Sequence, residues 1–501
     1  MNPAESVVND VVGMPILSEI PDSDGDIDDV AALIYAYKLW MVESMLPRTL
    51  LQGTRGMRRA GISFLPKNEL ESATAYNNRV QQSTVLNAYR KTCSFLSGQV
   101  FQRDISFEDG FPDSMETLLM DIDRSGNNLN IFAKRIFFNG IAKGVSLILV
   151  DAPPTKGEVL SRKGEAERGI RPYFKEVKPE DVIGWRTDTD NTLTQVRISE
   201  LKHEDSGKFG TKYTRQIRVL YPGEWEVYSQ GSDGEFTLTD SGDFSVDIIP
   251  LFVFIPGEET TVMTGETPLM DLAELNAAHW RSSSDQTNIL HVGRVPQMFG
   301  RHIDLDEMVS GTASMVTSDE DGSDMKFVEI TGASINVGAD DIKTLEEKMA
   351  MYGLQQLIPR TGNQTATEKA LTSSESNSSL SSWATDFEDV LNAALTTLGQ
   401  FAGQEILEKS ASVNKEFNLG VANNEEVIAI LKSQEQGIIS TQACFSELKR
   451  RGVFADQLEW DDMEADMEKE KQEAADMMKL AGSSFGDDNK DNKDNKDNKD
   501  E

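Results

Sequence analysis

The sequence predicts an α+β fold, and three observations carry that prediction. Short strands with period-2 alternation fill Tyr173 to Ile255. Segments with apolar residues at helical spacing lie on both sides of that run. The chain has 501 residues, 38% of them hydrophobic and 27% charged, which is enough to bury a sizeable core. At about 150 residues per domain, this length allows about three domains.

Residues 1–26 read as a mobile acidic leader. Asp28 and Asp29 favour a helix start, Val30 to Leu46 is rich in apolar residues, and Pro47 is the expected stop. Thr54–Pro66 has the Gly and Pro punctuation of a loop with a short extended piece. Glu71 to Gly98 reads as one helix, with Tyr76, Val80, Val85, Ala88 and Phe95 near helical spacing. Ser114 is a candidate N-cap with Thr117 and Leu118 behind it. Leu129 to Phe138 reads as a helix ending at Asn139–Gly140, and Val145–Val150 as a short buried strand. The strand run is VIGWRT, TQVRISEL, RQIRVLY, EWEVYSQ, FTLTD and IIPLFVFIPG. Alternation in Gln216–Val219 and Trp225–Tyr228 marks half-buried antiparallel strands.

Thr267–Pro268 opens a helix that should run to about His291, because Pro is favourable in a first turn. Val295 to Ile335 is mixed, with strand-like pieces and the acidic loop Ser318–Asp324. Another helix should start near Asp340, where Ile342, Leu345, Met349, Tyr352 and Gln356 step by three and four up to Ile358–Pro359. Arg360–Gln364 reads as a loop. Thr365-Ala366-Thr367-Glu368 has the form of a capping box. One helix from there to Glu408 would span ~60 Å. Its weak link is Thr372–Ser382, a Ser-rich stretch that by propensity alone suits a linker. Helix is the preferred reading, since small residues allow tight packing. Asn424 should cap a helix through Leu431, and Ser440 or Thr441 a second through Arg451, with Gly452 as stop. Asp456–Asp476 is an acidic helical stretch. The period-3 DNK repeat within 481–501 reads as a disordered tail.

Lys plus Arg number 49 and Asp plus Glu 84, a net charge of −35. A surface that grips nucleic acid or anionic lipid throughout is excluded, because tight phosphate binding needs clustered cations. Two cysteines, Cys93 and Cys444, allow no disulfide framework and no CxxC pair, and the four histidines match no zinc spacing. MNPAESVVND has neither a basic start nor an apolar h-region, and no apolar run nears the ~18 residues of a membrane helix. These features predict a soluble protein from a reducing compartment, with no membrane partner.

Enzyme motifs are missing. Ser206-Gly207-Lys208-Phe209-Gly210-Thr211 lacks the spacing of a phosphate-binding loop, and no GxSxG, HExxH or GxGxxG occurs. DSDGDIDD at Asp22–Asp29 resembles a calcium loop, but Ile27 stands where the turn Gly belongs and Leu33 where the bidentate Glu belongs. The expectation is a non-enzyme with no cofactor and no metal.

Several strings, in order along the chain, resemble the bacteriophage portal protein family, the head-to-tail connectors. They are MRRAGISFLP at Met57–Pro66, LNAYRKTCSFLSGQVFQRDI at Leu86–Ile105, LMDLAELNAAHWRSSSDQTNILHVGRVP at Leu269–Pro296, QTATEKALTSSESNSSL at Gln364–Leu380 and GIISTQACFSELKRRGVF at Gly437–Phe454. The resemblance spans about Val30 to Met478. It implies an elongated subunit with an α/β wing, a two-helix stem, a small mixed clip, a long helix and a helical crown. Mapped here, residues 27–110 are the N-terminal helical part of the wing and 111–257 its α/β part. Residues 258–292 and 339–359 are the stem helices, 293–338 the clip, and 360–366 the tunnel loop. Residues 367–420 are the long wing helix and 421–480 the crown.

The resemblance further implies a homo-oligomeric ring, usually a dodecamer, at one capsid vertex of the virion, assembled in the host cytoplasm. Double-stranded DNA would pass through the ring without sequence-specific contact. Major capsid and scaffolding proteins, the terminase large subunit and head-tail adaptor proteins would be its partners. Expected tunnel-lining residues are Arg360, Thr361, Gly362, Asn363 and Gln364, with Lys343 and Lys348 on the second stem helix. Expected docking residues in the clip are Arg301, Asp304, Asp319, Glu320 and Asp321. For Lys343 and Lys348 the competing reading is a solvated face shared with Glu346 and Glu347, and for Arg360 a cation at a helix C-terminus. Two other functions stay open: an acidic cytosolic hydrolase with an unrecognised carboxylate site, and a helix-turn-helix DNA-binding regulator built around Lys449-Arg450-Arg451.

Overall fold

The computed structural model describes residues 28–108, 111–153, 170–294, 297–301, 321–328, 332–354, 366–407, 409–415, 417, 424–450, 453–454, 458 and 460–483. The expected leader, residues 360–365 of the expected tunnel loop and the DNK repeat lie outside them, while Ala366 is helical. The chain divides into two units, Met1–Lys415 and Glu416–Glu501. The fold is mixed α and β, as the sequence predicts.

The first unit opens with α1 Tyr35–Glu43, α2 Met45–Leu51 and α3 Gly53–Ala60. Pro47 does not stop a helix. It sits in the first turn of α2, where its missing N–H has no intrahelical partner to lose. The loop expected at Thr54–Pro66 is largely helical, running through α3 into a 3-10 turn at Gly61–Ser63. Burial of Met57 there outweighs the poor helix propensity of Gly56. The single helix expected over Glu71–Gly98 is two, α4 Ala73–Gln82 and α5 Ala88–Val100. Each has its own cap: Ser72 Oγ accepts from the Ala75 N–H at 3.1 Å, and Asn87 Oδ1 from the Arg90 N–H at 2.9 Å.

Strand β1 is Ser106–Phe107, and the short α6 is Glu116–Met120. Ser114 is not its cap. It lies inside the 3-10 turn Asp113–Met115, and Met115 takes the cap position. Helix α7, Leu129–Lys143, runs through the stop expected at Asn139–Gly140. Gly140 packs under the Phe254 ring inside the helix, and Gly144, at φ 83°, closes it in the left-handed conformation.

Next come β2 Ser146–Asp151, β3 Tyr173–Val177, β4 Val182–Thr187, β5 Leu193–Ser206, β6 Gly210–Tyr221, β7 Glu224–Gln230, β8 Phe236–Asp243 and β9 Leu251–Phe254. All are antiparallel. They form a three-stranded sheet in the order β3-β2-β9 and a meander in the order β4-β5-β6-β7-β8. The alternation read from the sequence is real: Ile217 and Val219 are buried, while Gln216 and Arg218 are only half-buried. Trp40 and Met41 of α1 pack with Leu147, Leu149, Val196, Ile198, Ile217 and Val219 into one core. At 20–33 cal/mol per Å² of apolar area, such burial is the main source of stability. A second cluster joins Phe101, Phe137, Phe254 and Phe387, with ring centroids 5.1 to 5.8 Å apart.

After the small pair β10 Glu259–Thr261 and β11 Thr264–Gly265 come α8 Met270–Arg294, β12 Gln297–Arg301, β13 Asp324–Val328 and α9 Gly332–Met349. Helix α9 starts earlier than the Asp340 expected, and a π turn at Ala350–Leu354 ends it. Helix α10, Ala366–Ala402, is 37 residues long and includes the Ser-rich stretch, as expected. It stops at Ala402 and not Glu408, because Gly403 takes a positive φ of 64°. Strand β14, Ala411–Ser412, pairs with β1.

The second unit holds α11 Asn424–Glu435, α12 Thr441–Arg450 and α13 Trp460–Ser483. Ser440 Oγ accepts from the Ala443 N–H at 3.1 Å, the cap expected there. Phe445 packs against Phe454 and Trp460. Among the described residues no helix is long and apolar enough to cross a membrane.

Candidate functional site

The most distinctive feature of the first unit is an excursion of the chain. Helix α8 leads out to the β12–β13 pair, and α9 returns antiparallel along α8. Three polar contacts fix that return. His279 Nε2 lies 3.4 Å from Glu346 Oε1, Ser282 Oγ donates to Asp341 Oδ2 at 2.5 Å, and Gln286 Nε2 donates to the Ile335 carbonyl at 2.9 Å.

The base of α8 is set into the body. Leu272, Ala273, Ala277 and Trp280 are buried at helical spacing on one face. Asn276 is fully buried and clamps the start of α5: its Oδ1 accepts from the Tyr89 N–H at 3.0 Å, and its Nδ2 donates to the Leu86 carbonyl at 2.9 Å. Ser83 Oγ donates to Ser284 Oγ at 2.8 Å. Arg79 of α4 donates to Glu71 through two bonds of 2.9 and 2.8 Å, to the Pro66 carbonyl at 2.7 Å and to Asp285 Oδ1 at 3.3 Å. The Arg79 hydrogen bonds hold the Glu71 carboxyl below the usual carboxylate range, and Glu71 in turn raises Arg79. Burial pushes Asp285 upward.

At the far end, β12 and β13 pair in a register that sets Arg301 opposite Asp324, and Asp321 is exposed just before β13. Lys343 and Lys348 are both exposed on α9. Five residues apart, they stand about 140° from each other around the helix axis. Arg360, Thr361, Gly362, Asn363, Gln364, Asp304, Asp319 and Glu320 lie outside the described residues. The four expected site residues that are described therefore divide between the α9 surface and the strand pair with its approach.

Sequence reasoning missed the anchor: Arg79, Glu71, Asn276 and Asp285. Asp285 reaches Arg79 across 206 positions and Asn276 reaches Tyr89 across 187, which no local pattern reports. A second polar assembly was missed as well. Arg218 bridges Asp151 at 3.0 Å and Glu200 at 3.3 Å, and Lys175 also binds Glu200. Cys93 is buried, and burial pushes its thiol up to about 12, too high for a thiolate nucleophile. Among the described residues no group of three His, Cys, Asp or Glu side chains could hold a metal ion.

Residues 268–402 match the model of a domain of unknown function, DUF4055. The match covers α8, the strand pair, α9 and α10. No curated protein matches the chain. Among the solved structures that resemble it, three do so at low identity as follows. The neck of an empty gene transfer agent particle, computed with C6 symmetry, aligns at 10% identity and a TM-score of 0.40, covering 79% of this chain and 93% of that one. The neck of the native particle, computed with C12 symmetry, aligns at 11% identity and 0.36, covering 79% and 92%. The virion of the native gene transfer agent particle aligns at 10% identity and 0.36, covering 78% and 89%.

Proposed function

We propose that this chain is a subunit of a phage-type portal ring, a non-catalytic conduit for double-stranded DNA at the head-to-tail connection of a virion. The observation that carries the reading is the antiparallel α8–α9 excursion with a strand pair at its far end, followed by the 37-residue α10. That order matches the stem, clip and long helix implied by the sequence resemblance. In this reading the clip docks the terminase motor during packaging and adaptor proteins afterwards. Capsid and scaffolding proteins meet the ring at one vertex, and twelve copies are the expected number. Assembly takes place in the host cytoplasm.

The charge fits the task. A conduit must let the duplex slide, and every phosphate neutralised by Lys or Arg adds affinity through counterion release. In a ring, one basic side chain becomes a circle of them. A chain of net charge −35 with few cations at the bore would centre DNA without holding it. Arg360, Asn363 and Gln364 are the residues proposed to touch the duplex at the narrowest point, with Gly362 giving that loop backbone freedom.

Negative-stain imaging of the purified chain, alone and with its capsid and scaffolding partners, tests the reading. Rings with a central opening are expected. A chain that stays monomeric in both conditions overturns it. Cross-links from packaged DNA to 360–364 would locate the bore.

A further inference from the structure

Within the meander, one hairpin is longer than its sheet. Strands β5 and β6 pair from Val196↔Leu220 out to Ser206↔Gly210. Strand β4 covers β5 only as far as Ile198, and β7 covers β6 only from Gln216. The pairs from Leu201↔Arg215 outward form a bare two-stranded ribbon, ~20 Å long at about 3.3 Å per residue. Every residue from 201 to 213 is exposed. An isolated ribbon of this kind is only marginally stable in water.

This ribbon is also unusually apolar for a bare surface. Phe209 at the tip is 91% exposed, Tyr213 61% and Leu201 57%. His203 and Tyr213 face each other across the strands, with ring centroids 4.8 Å apart. On an acidic chain it is locally basic: Lys202, Lys208, Lys212 and Arg215 stand against Glu204 and Asp205.

The opposite margin of the same sheet has the complementary character. Strand β8 is the last in the order and has no strand on its outer side among the described residues. Thr237 to Ser241 are all exposed, and Leu238 is 52% exposed. From Pro222 to Pro250 the chain carries seven carboxylates and no Lys, Arg or His. An exposed, unpaired edge with acidic side chains is a ready template for an added strand of opposite charge.

We propose that the 201–215 ribbon of one copy docks along the outer edge of β8 of a second copy, burying Phe209, Tyr213 and Leu201 and pairing Lys208 and Lys212 with Asp240 and Asp243. Two different surfaces of one molecule then complement each other, which makes the contact heterologous and able to propagate around a closed ring. The inference rests on the ring reading and adds the surface that joins neighbours. DNA is the poorer occupant for the ribbon, since its cations are interleaved with Glu204 and Asp205.

The test mixes isotope-labelled and unlabelled full-length chains, assembles them, and applies a zero-length carbodiimide cross-linker. Mixed-isotope peptides joining Lys208 or Lys212 to Asp240 or Asp243 are expected. K208E/K212E should lower the yield of rings about tenfold, because like charges then face each other across the contact. D240K/D243K should do the same, and the chain carrying all four changes should recover. All four positions are exposed, so thermal unfolding unchanged from the parent chain checks the fold. Rings that form without these cross-links and tolerate K208E/K212E overturn the inference and leave the ring reading standing. Tip lysines protected by added DNA in place of cross-linking also overturn it. A parent chain that never assembles removes both.

Discussion

The two ends of the α8–α9 pair use the same two helices in opposite ways. At the base, Leu272, Asn276, Trp280 and Ser284 are buried, and α4 and α5 meet them with paired charges and a clamped backbone. Toward the far end, Thr287, Asn288 and His291 of α8 and Asn336 and Val337 of α9 are exposed. One end is a joint and the other a display. A helix rigid at its root can hold its outer residues in place without those residues contributing to stability, which frees them to change with a partner.

Seven substitutions sharpen or break this contrast. Trp280→Ala should have the largest effect, destabilising the fold by about 3–5 kcal/mol, whereas His291→Ala on the same helix should stay within about 0.5 kcal/mol. Denaturant midpoints followed by circular dichroism compare them, and equal losses would dissolve the distinction.

Arg79→Met should cost about 2 kcal/mol, because it removes the ion-pair partner of the half-buried Glu71 carboxylate and leaves it only the Asn68 N–H. A pH signature accompanies it. The Glu71 pKa is lower folded than unfolded, so its contribution is complete above the ordinary value near ~4.3 and is lost as pH falls through the folded value. Glu71→Gln should therefore flatten the acid limb of the stability curve, and an unchanged limb would show that the pair does not couple to folding.

Asn276→Ala should cost about 2 kcal/mol by leaving the Tyr89 N–H without a partner and removing one of the two donors to the Leu86 carbonyl. Hydrogen exchange at the Tyr89 amide should accelerate with it. The smallest effect belongs to the exposed side of α9. Lys343→Ala and Lys348→Ala should each shift stability by less than about 0.5 kcal/mol. A larger shift would mean that these lysines are structural.

What was legible in the sequence follows from how local each signal is. The meander was readable because Ile217, Val219 and Val227 alternate with polar neighbours, and a strand writes its burial at period 2. The long α10 was readable through Leu380, Phe387, Leu391, Leu395 and Leu398, even across a Ser-rich stretch. Boundaries were less so. Pro47 reads as a stop only if one helix precedes it, and the split at Ser83–Asn87 depends on Asn87 capping a second helix. The anchor around Arg79 was illegible, since its parts are local polar residues until the fold brings Asp285 to them. The expected tunnel and clip residues came from resemblance, and spacing alone would not have singled them out.

The π turn that ends α9 carries a consequence of its own. A methyl group on Gly353 would overlap Leu272 and come within 2.8 Å of Thr92 Oγ1, so the turn sits flush against both α5 and α8. Tension on the segment beyond Leu354 would thus reach the body through this seam before it could bend the outstretched helices. A G353A chain, forced to open the seam, would transmit such a pull along a softer route.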